Sequence, residues 1–220
     1  MMSAGRLAIF DFDGTLADSA DWFFGIMNGV ARRFGFREID EAEREHLRGR
    51  PSHEVIRALG VPAWKLPMIA AHMRGLVREN ADRIPLFPWV PAVLRRLADT
   101  DLKVAIASSN GRDTILRILG PEPAACVAAV SGGASLFGKA AKFRKLMRQF
   151  GASERDVIAV GDEARDIEAA REAGIASIAV TWGLATRPAL IAAGPTALVD
   201  DPRELERLLL AGRHGSSLAL

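Results

Sequence analysis

Short, nearly continuous apolar runs recur along the chain, separated by longer segments in which apolar residues return every three or four positions. The runs are Leu7–Phe10, Lys103–Ala107, Cys126–Val130, Val157–Val160 and Ala176–Val180, with a weaker sixth at Ala197–Val199. Runs of this length without polar alternation predict strands buried on both faces of a parallel sheet. Between them, Trp22, Phe23, Ile26, Met27, Val30, Ala31 and Phe34 form a wide helical stripe. Val90, Val93, Leu94 and Leu97 form another, and Phe143, Leu146, Met147 and Phe150 a third that stops at Gly151. Strands alternating with helices predict an α/β fold, a doubly wound, Rossmann-like parallel sheet.

The alternation breaks once. Between the first and second runs lie about ninety residues with no strand pattern, far more than a crossover needs. They read as helices over 20–34, 41–48, 52–60 and 67–83, with Pro85, Pro88 and Pro91 punctuating the return. The expected organisation is a core domain of residues 1–16 and 88–220, with an α-helical cap domain inserted at 17–87. The polar tail Gly212–Leu220 is expected to fray.

Composition narrows the class. The 220 residues are 49% hydrophobic and 25% charged, as in an ordinary globular protein. A formal net charge of +2 is no nucleic-acid footprint, despite a pI near 9.0. No run approaches the length needed to cross a bilayer, and the N-terminus does not read as a signal peptide. Cys126 is the single cysteine, which excludes a disulfide framework and fits a reducing compartment, so a cytoplasmic location is expected.

Chemistry-bearing residues gather directly after the apolar runs. Asp11, Asp13, Gly14 and Thr15 follow the first; Ser108, Ser109 and Asn110 the second; Ser131, Gly132, Gly133 and then Lys139 the third; Gly161, Asp162, Glu163 and Asp166 the fourth. Ligands of open α/β sheets bind at the carboxyl ends of the strands. Asp11 and Asp13 share a side of the strand, and Gly14 lets the chain turn back over them. Asp162 and Asp166 are four apart at a helix start, on one expected face. Four carboxylates without clustered histidine predict a hard-cation site, most simply Mg²⁺. Any one of these pieces alone is ordinary turn or cap chemistry; their order at successive strand ends is not.

Asp11-Phe12-Asp13-Gly14-Thr15-Leu16 resembles the first motif of the haloacid dehalogenase superfamily. The run ending in Ser108 is similar to its second motif, Lys139 to its third, and Gly161-Asp162-Glu163-Ala164-Arg165-Asp166 to its fourth. Thr181-Trp182-Gly183 and Ala193-Gly194-Pro195 also resemble the phosphoglycolate-phosphatase-like branch, whose helical cap follows the first motif. The resemblance implies an Mg²⁺-dependent phosphomonoester hydrolase working through an aspartyl-phosphate, with phosphoglycolate as default substrate. Asp11 would be nucleophile, Asp13 general acid and base, and Ser108 and Lys139 phosphate ligands. Asp11, the Asp13 carbonyl and Asp162 would hold the metal, supported by Asp166, Thr15 and Asn110. Arg48, Arg50 and His53 would contact substrate from the cap. The partner implied is a small phosphorylated metabolite, with no nucleic acid and no membrane.

Lys142 competes with Lys139 for the third role; Lys139 is preferred because it precedes the helical pattern that contains Lys142. Gly133-x-x-x-x-Gly138-Lys139-Ala140 nearly matches a phosphate-binding P-loop, but Ala140 lacks the hydroxyl that holds Mg²⁺. A receiver-type signalling domain would leave the long insert and the second acidic pair unexplained. Within the superfamily that the chain resembles, an acid at Asp13 implies phosphate esters rather than halides or phosphonates as substrates, with a phosphomutase and a non-catalytic binding protein as alternatives.

Overall fold

The computed structural model describes residues 6–47, 50, 52–133 and 138–211, with backbone alone for 45, 46, 52 and 53. Six strands form one parallel sheet: β1 (Leu7–Phe10), β2 (Lys103–Ala107), β3 (Ala129–Ser131), β4 (Val157–Gly161), β5 (Ala176–Val180) and β6 (Ala197–Val199). Their order is β3-β2-β1-β4-β5-β6. β1 lies at the centre, paired with β2 on one side and β4 on the other, Phe10 opposite both Ile106 and Val160. The connections reverse direction across β1, and the crevice at its carboxyl end is where such sheets bind ligands.

The helices are α1 (Ala20–Phe34), α2 (Glu41–Leu47), α3 (Ser52–Ala58), α4 (Leu66–Glu79), α5 (Val90–Ala98), α6 (Arg112–Leu119), α7 (Pro121–Ala125), α8 (Gly138–Phe150), α9 (Ala164–Ala173), α10 (Arg187–Ala193) and α11 (Pro202–Ala211). Strand alternation sorts the core into two layers. Ala8, Phe10, Val104, Ile106, Ile158 and Val160 face one side, with Val93, Leu94 and Leu97 of α5 and Leu205 and Leu209 of α11 in the same cluster. Leu7, Ile9, Ala105, Ala107, Val157 and Ala159 face the other, against Phe143, Leu146 and Met147 of α8 and Ala169 and Ala170 of α9. Both faces are dry, which is why the strands read as continuous apolar runs.

Helices α1–α4 form the insert. Ile39, Leu47 and Leu59 centre a separate small cluster with Phe24, Met27 and Phe36 packed on it. The two chain crossings between insert and core run side by side: the Asp18 amide donates to the Pro85 carbonyl, the Phe87 amide to the Leu16 carbonyl, and Ala17 bridges Leu86.

Three expectations need correction. The third strand begins at Ala129 rather than Cys126, because Pro121 opens a short helix whose end is capped by the Cys126 amide on the Ala124 and Pro123 carbonyls. The helices expected at 41–48, 52–60 and 67–83 are shorter: the second of these stops at Ala58, just before Gly60 at φ 65°, and the last ends at Glu79 before a 3₁₀ turn over Ala81–Arg83. Helix α8 starts at Gly138, so Lys139 lies inside its first turn rather than ahead of it. The tail Gly212–Leu220 lies outside the described residues. Among the described residues, no helix is long and apolar enough to cross a membrane.

Candidate active site

Asp11 leaves β1 with its amide still bonded to the Val160 carbonyl, so the sheet fixes its position up to the last residue before the turn. The chain then folds back: the amides of Leu16 and Ala17 both reach the Phe12 carbonyl, and Gly14 takes φ 74°. A side chain at Gly14 would fail twice, since φ is positive and a Cβ would stand 2.2 Å from Asp162 Oδ2. The turn brings Asp13 back beside Asp11, and both are buried.

Asp162 follows β4 and is completely buried. The Thr15 hydroxyl donates to its Oδ1 at 2.7 Å, and the Leu184 amide donates to its Oδ2 at 2.8 Å. Gly183 makes room for it, as a Cβ there would approach the Asp162 Cβ to 2.3 Å. Asp162 precedes α9 rather than sharing a face of it. Glu163 is the N-cap, its side chain accepting from the Asp166 amide, while Asp166 Oδ2 accepts from the Glu163 amide at 3.1 Å. This reciprocal capping box satisfies two otherwise orphaned donors. It also holds the Asp166 carboxylate under β4.

Lys139 Nζ stands 2.7 Å from Asp11 Oδ1 and 2.5 Å from Asp166 Oδ1. Lys142 is turned elsewhere and donates to the carbonyls of Ser108 and Gly133, tying together the loops after β2 and β3. Ser108 is buried and its Oγ accepts from the Asn110 amide at 3.1 Å. Asn110 Nδ2 in turn donates to Asp13 Oδ2 at 2.8 Å. Asp13 Oδ1 is buried with no hydrogen-bond partner among the described residues.

Asp11, Asp13, Ser108 and Lys139 thus line one cavity of about 340 Å³. Behind them, Thr15 bonds Asp162, Asp166 bonds Lys139 and Asn110 bonds Asp13. Of the insert residues, Arg50 does not line this cavity and stands 3.9 Å from Glu54, while Arg48 and the side chain of His53 lie outside the described residues. Arg165, from the first turn of α9, also lines the cavity and pairs with Glu163 at 2.5 Å. Sequence reasoning gave no role to Arg165, to the Leu184 amide or to the loop-tying bonds of Lys142. Only the variable interior of the fourth motif and the Trp182-Gly183 turn hinted at the first two.

The electrostatics are unbalanced. Asp11, Asp13, Asp162, Glu163 and Asp166 are buried together, with Lys139 held between Asp11 and Asp166 and Arg165 paired to Glu163. Burial and the charge of Asp11 push Asp13 up to about 7 from 3.8. Burial pushes Asp166 to about 6, against the pull of Lys139. Asp162 rises well above its ordinary value through burial and the charges of Asp11 and Asp166. Lys139 is held above its usual range: burial opposes its charge, but Asp11 and Asp166 outweigh it. Burial and Lys139 lower Lys142 to about 8.

Crowded carboxylates raise one another's pKa when no cation neutralises them. Ligand atoms of Asp11, Asp162 and Asp166 lie within 4.8 Å of one another, all oxygen and all buried. The donor set suits a hard divalent cation.

A haloacid dehalogenase-like hydrolase family model matches residues 8–180, which is most of the chain and contains Asp11, Asp13, Ser108, Lys139, Asp162 and Asp166. The chain belongs to the haloacid dehalogenase-like hydrolase family. It is 34% identical over 198 residues to a phosphoglycolate phosphatase of Synechococcus elongatus, covering 90% of this chain and 93% of that one. Among solved structures, it resembles a predicted phosphatase from Clostridium acetobutylicum at TM-score 0.80 and 23% identity, covering 95% of this chain and 100% of the other. A haloacid dehalogenase-like hydrolase from Streptococcus pneumoniae matches at TM-score 0.78 and 20% identity, over 94% of this chain and 99% of the other. These likenesses establish the family fold; the chemistry rests on the site.

Proposed function

We propose that this hydrolase is an Mg²⁺-dependent phosphomonoesterase acting through an aspartyl-phosphate on Asp11. The observation that carries the reading is the pairing of a buried carboxylate with Lys139 at 2.7 Å, on the wall of a cavity that also holds Asp13 and Ser108. Lys139 pins Asp11 at Oδ1, leaving its other oxygen to attack phosphorus. As the P–O ester bond breaks, Asp13 gives the leaving oxygen a proton, and a carboxyl at about 7 is suited to that near neutral pH. Asn110 donates to Asp13 Oδ2, so the proton is carried by the other carboxyl oxygen, whose carboxyl also faces the buried Ser19 hydroxyl. In the second half, Asp13 takes a proton from water as its oxygen attacks the phosphoryl group, releasing inorganic phosphate and restoring Asp11. Ser108 and Lys139 stabilise charge on the phosphoryl oxygens.

Asp11, Asp162 and the Asp13 carbonyl would hold Mg²⁺, with Asp166 orienting Lys139. Bound there, the cation supplies positive charge that offsets repulsion between Asp11 and the phosphate. Residues 17–87 serve as the cap and the rest as the core, joined by the paired crossings at Leu16–Asp18 and Pro85–Phe87. Phosphoglycolate, the substrate in the name of the Synechococcus relative, is the first ester to assay.

The test is phosphate release from a panel of phosphomonoesters with saturating Mg²⁺ and with EDTA. Turnover abolished by EDTA and by Asp11→Asn supports the reading. An active Asp11→Asn enzyme overturns it.

A further inference from the structure

Trp182 stands in the turn that follows β5, and its indole reaches the turn that follows β1. The Nε1–H donates to the Thr15 carbonyl at 3.2 Å, across 167 positions of sequence. Thr15 in turn donates its hydroxyl to Asp162 Oδ1 at 2.7 Å. The next carbonyl, that of Leu16, accepts from the Phe87 amide at 3.0 Å. Two successive carbonyls after the first motif are thus held, one from the β5 turn and one from the chain returning out of the insert. The rings repeat the connection. Trp182 meets Trp89 edge to face, with centroids 5.3 Å apart at 75°, and Trp89 lies nearly parallel to Phe87 at 6.4 Å and 14°. All three are half-buried against the core layer that contains Phe10. Directly after Trp182, Gly183 makes room for Asp162, and the Leu184 amide holds Asp162 Oδ2 at 2.8 Å.

We infer that Trp182 is a positioning residue for the cation site: its indole N–H fixes Thr15, and Thr15 fixes the oxygen of Asp162 that Leu184 does not hold. The inference rests on the reading of Asp162 as a ligand of Mg²⁺. Among the described residues no backbone amide donates to the Thr15 carbonyl, so the indole is the group that orients this peptide. Thr15 is β-branched and has few rotamers, so a fixed backbone also fixes where its hydroxyl points. A carboxylate held at both oxygens before the ion arrives has less orientational freedom to lose on binding, which is how groups behind a ligand set its affinity. Packing alone explains the ring contacts of Trp182 and asks only that its N–H find some acceptor. Here the acceptor belongs to the one residue whose hydroxyl holds Asp162 Oδ1.

The experiment titrates Mg²⁺ alone into substrate-free protein and reads Kd by calorimetry, in wild type, Trp182→Phe, Trp89→Phe, Thr15→Val and the double variant Trp182→Phe with Thr15→Val. Both Phe variants trim a half-buried indole to a smaller ring, but only Trp182→Phe removes the hydrogen bond to Thr15. Trp182→Phe is expected to raise the Mg²⁺ Kd about three- to tenfold, the worth of one hydrogen bond. Trp89→Phe should change it by less than about twofold, the value of ring packing without the N–H. In the Thr15→Val background the link to Asp162 is already cut, so adding Trp182→Phe should have little further effect on Kd. If Trp182→Phe is unfolded, 3-benzothienylalanine at position 182 keeps the bicyclic shape, replaces the N–H with sulfur, and is held to the same shift. Wild-type affinity in the variant lacking the N–H, an equal loss in Trp89→Phe, or full additivity with Thr15→Val overturns the positioning role and leaves the Mg²⁺ reading intact. A wild type that binds no Mg²⁺ overturns that reading, and the positioning role falls with it.

Discussion

Lys139 Nζ sits between Asp11 Oδ1 at 2.7 Å and Asp166 Oδ1 at 2.5 Å, so one buried cation is shared by carboxylates from the first and fourth motifs. The arrangement has two uses. It sets a positive charge beside Asp11 where the phosphate must approach, and it fixes the acid's attacking oxygen by holding the other one. A buried pair of this kind is costly to break, because removal of one partner strands the other charge.

Lys139→Met is therefore expected to lower kcat/KM by about 10² to 10⁴-fold, in the range seen when a charge-stabilising donor is lost. Lys142→Met should cost roughly tenfold or less, because Lys142 bonds two carbonyls and does not touch Asp11. Steady-state kinetics on both variants checks the order. Equal losses would refute the division of labour between the two lysines.

Gly183→Ala tests the cradle behind the candidate metal site. The added Cβ would stand 2.3 Å from the Asp162 Cβ, a backbone-anchored atom that cannot swing aside. Overpacking of this sort costs typically about 1–3 kcal/mol. The larger expected effect is on Asp162, which would lose its bond from the Leu184 amide. The Mg²⁺ concentration for half-maximal activity should rise by at least about tenfold, read from a metal titration. An unchanged titration would show that Asp162 does not hold the cation.

Metal-free protein should lose stability as pH rises. Asp13 and Asp166 stand at about 7 and 6 in the fold, against 3.8 in the open chain. Between pH 4 and 7 the folded state therefore holds protons that the unfolded state has released, and ΔG of unfolding falls with pH. The contribution is present in full below pH 4 and gone above pH 7. Asp82 is shifted downward by Arg117, and Asp200 by the Thr181 hydroxyl and Arg187, so they act below pH 4 and leave this window alone. The thermal midpoint in EDTA is expected to decline from pH 5 to 8, and saturating Mg²⁺ should raise it most at the alkaline end. A midpoint in EDTA that climbs over this range would contradict the crowding of the acids.

The strands and the catalytic pairings differ in how far sequence reveals them. Leu7–Phe10 and Val157–Gly161 are buried on both faces, so their hydrophobicity alone marks them. Ala129–Ser131 is an edge strand of three half-buried residues, and the helix opened by Pro121 erases its early part. Asp11, Asp13, Asp162 and Asp166 are visible because each follows a strand at a fixed spacing. What links them is not: the Thr15 bond to Asp162 spans 147 positions, and no local pattern encodes which lysine of α8 turns toward Asp11. That choice is made by helix phase, and the helix begins at Gly138, five residues before its apolar stripe opens at Phe143. The Trp22–Phe34 stripe reads the same whether its partner is another helix or a ligand.

Asp13→Asn separates the two halves of the proposed reaction. The amide keeps the size of the side chain and can still bond Asn110, but it has no proton to give at Oδ1 and cannot accept one from water. With a poor leaving group such as an alkyl phosphate, the first step needs that proton, and turnover should fall by roughly 10² to 10⁴-fold. With a good leaving group such as 4-nitrophenolate, departure needs little help, so the first step should survive far better. The second step still lacks its base, and phosphoenzyme should therefore accumulate. Rapid-quench measurements should show a burst of 4-nitrophenolate approaching one equivalent, followed by slow turnover, with acid-stable phosphate on Asp11 confirmed by mass spectrometry. Equal losses for both leaving groups with no burst would place the proton transfer on a residue other than Asp13.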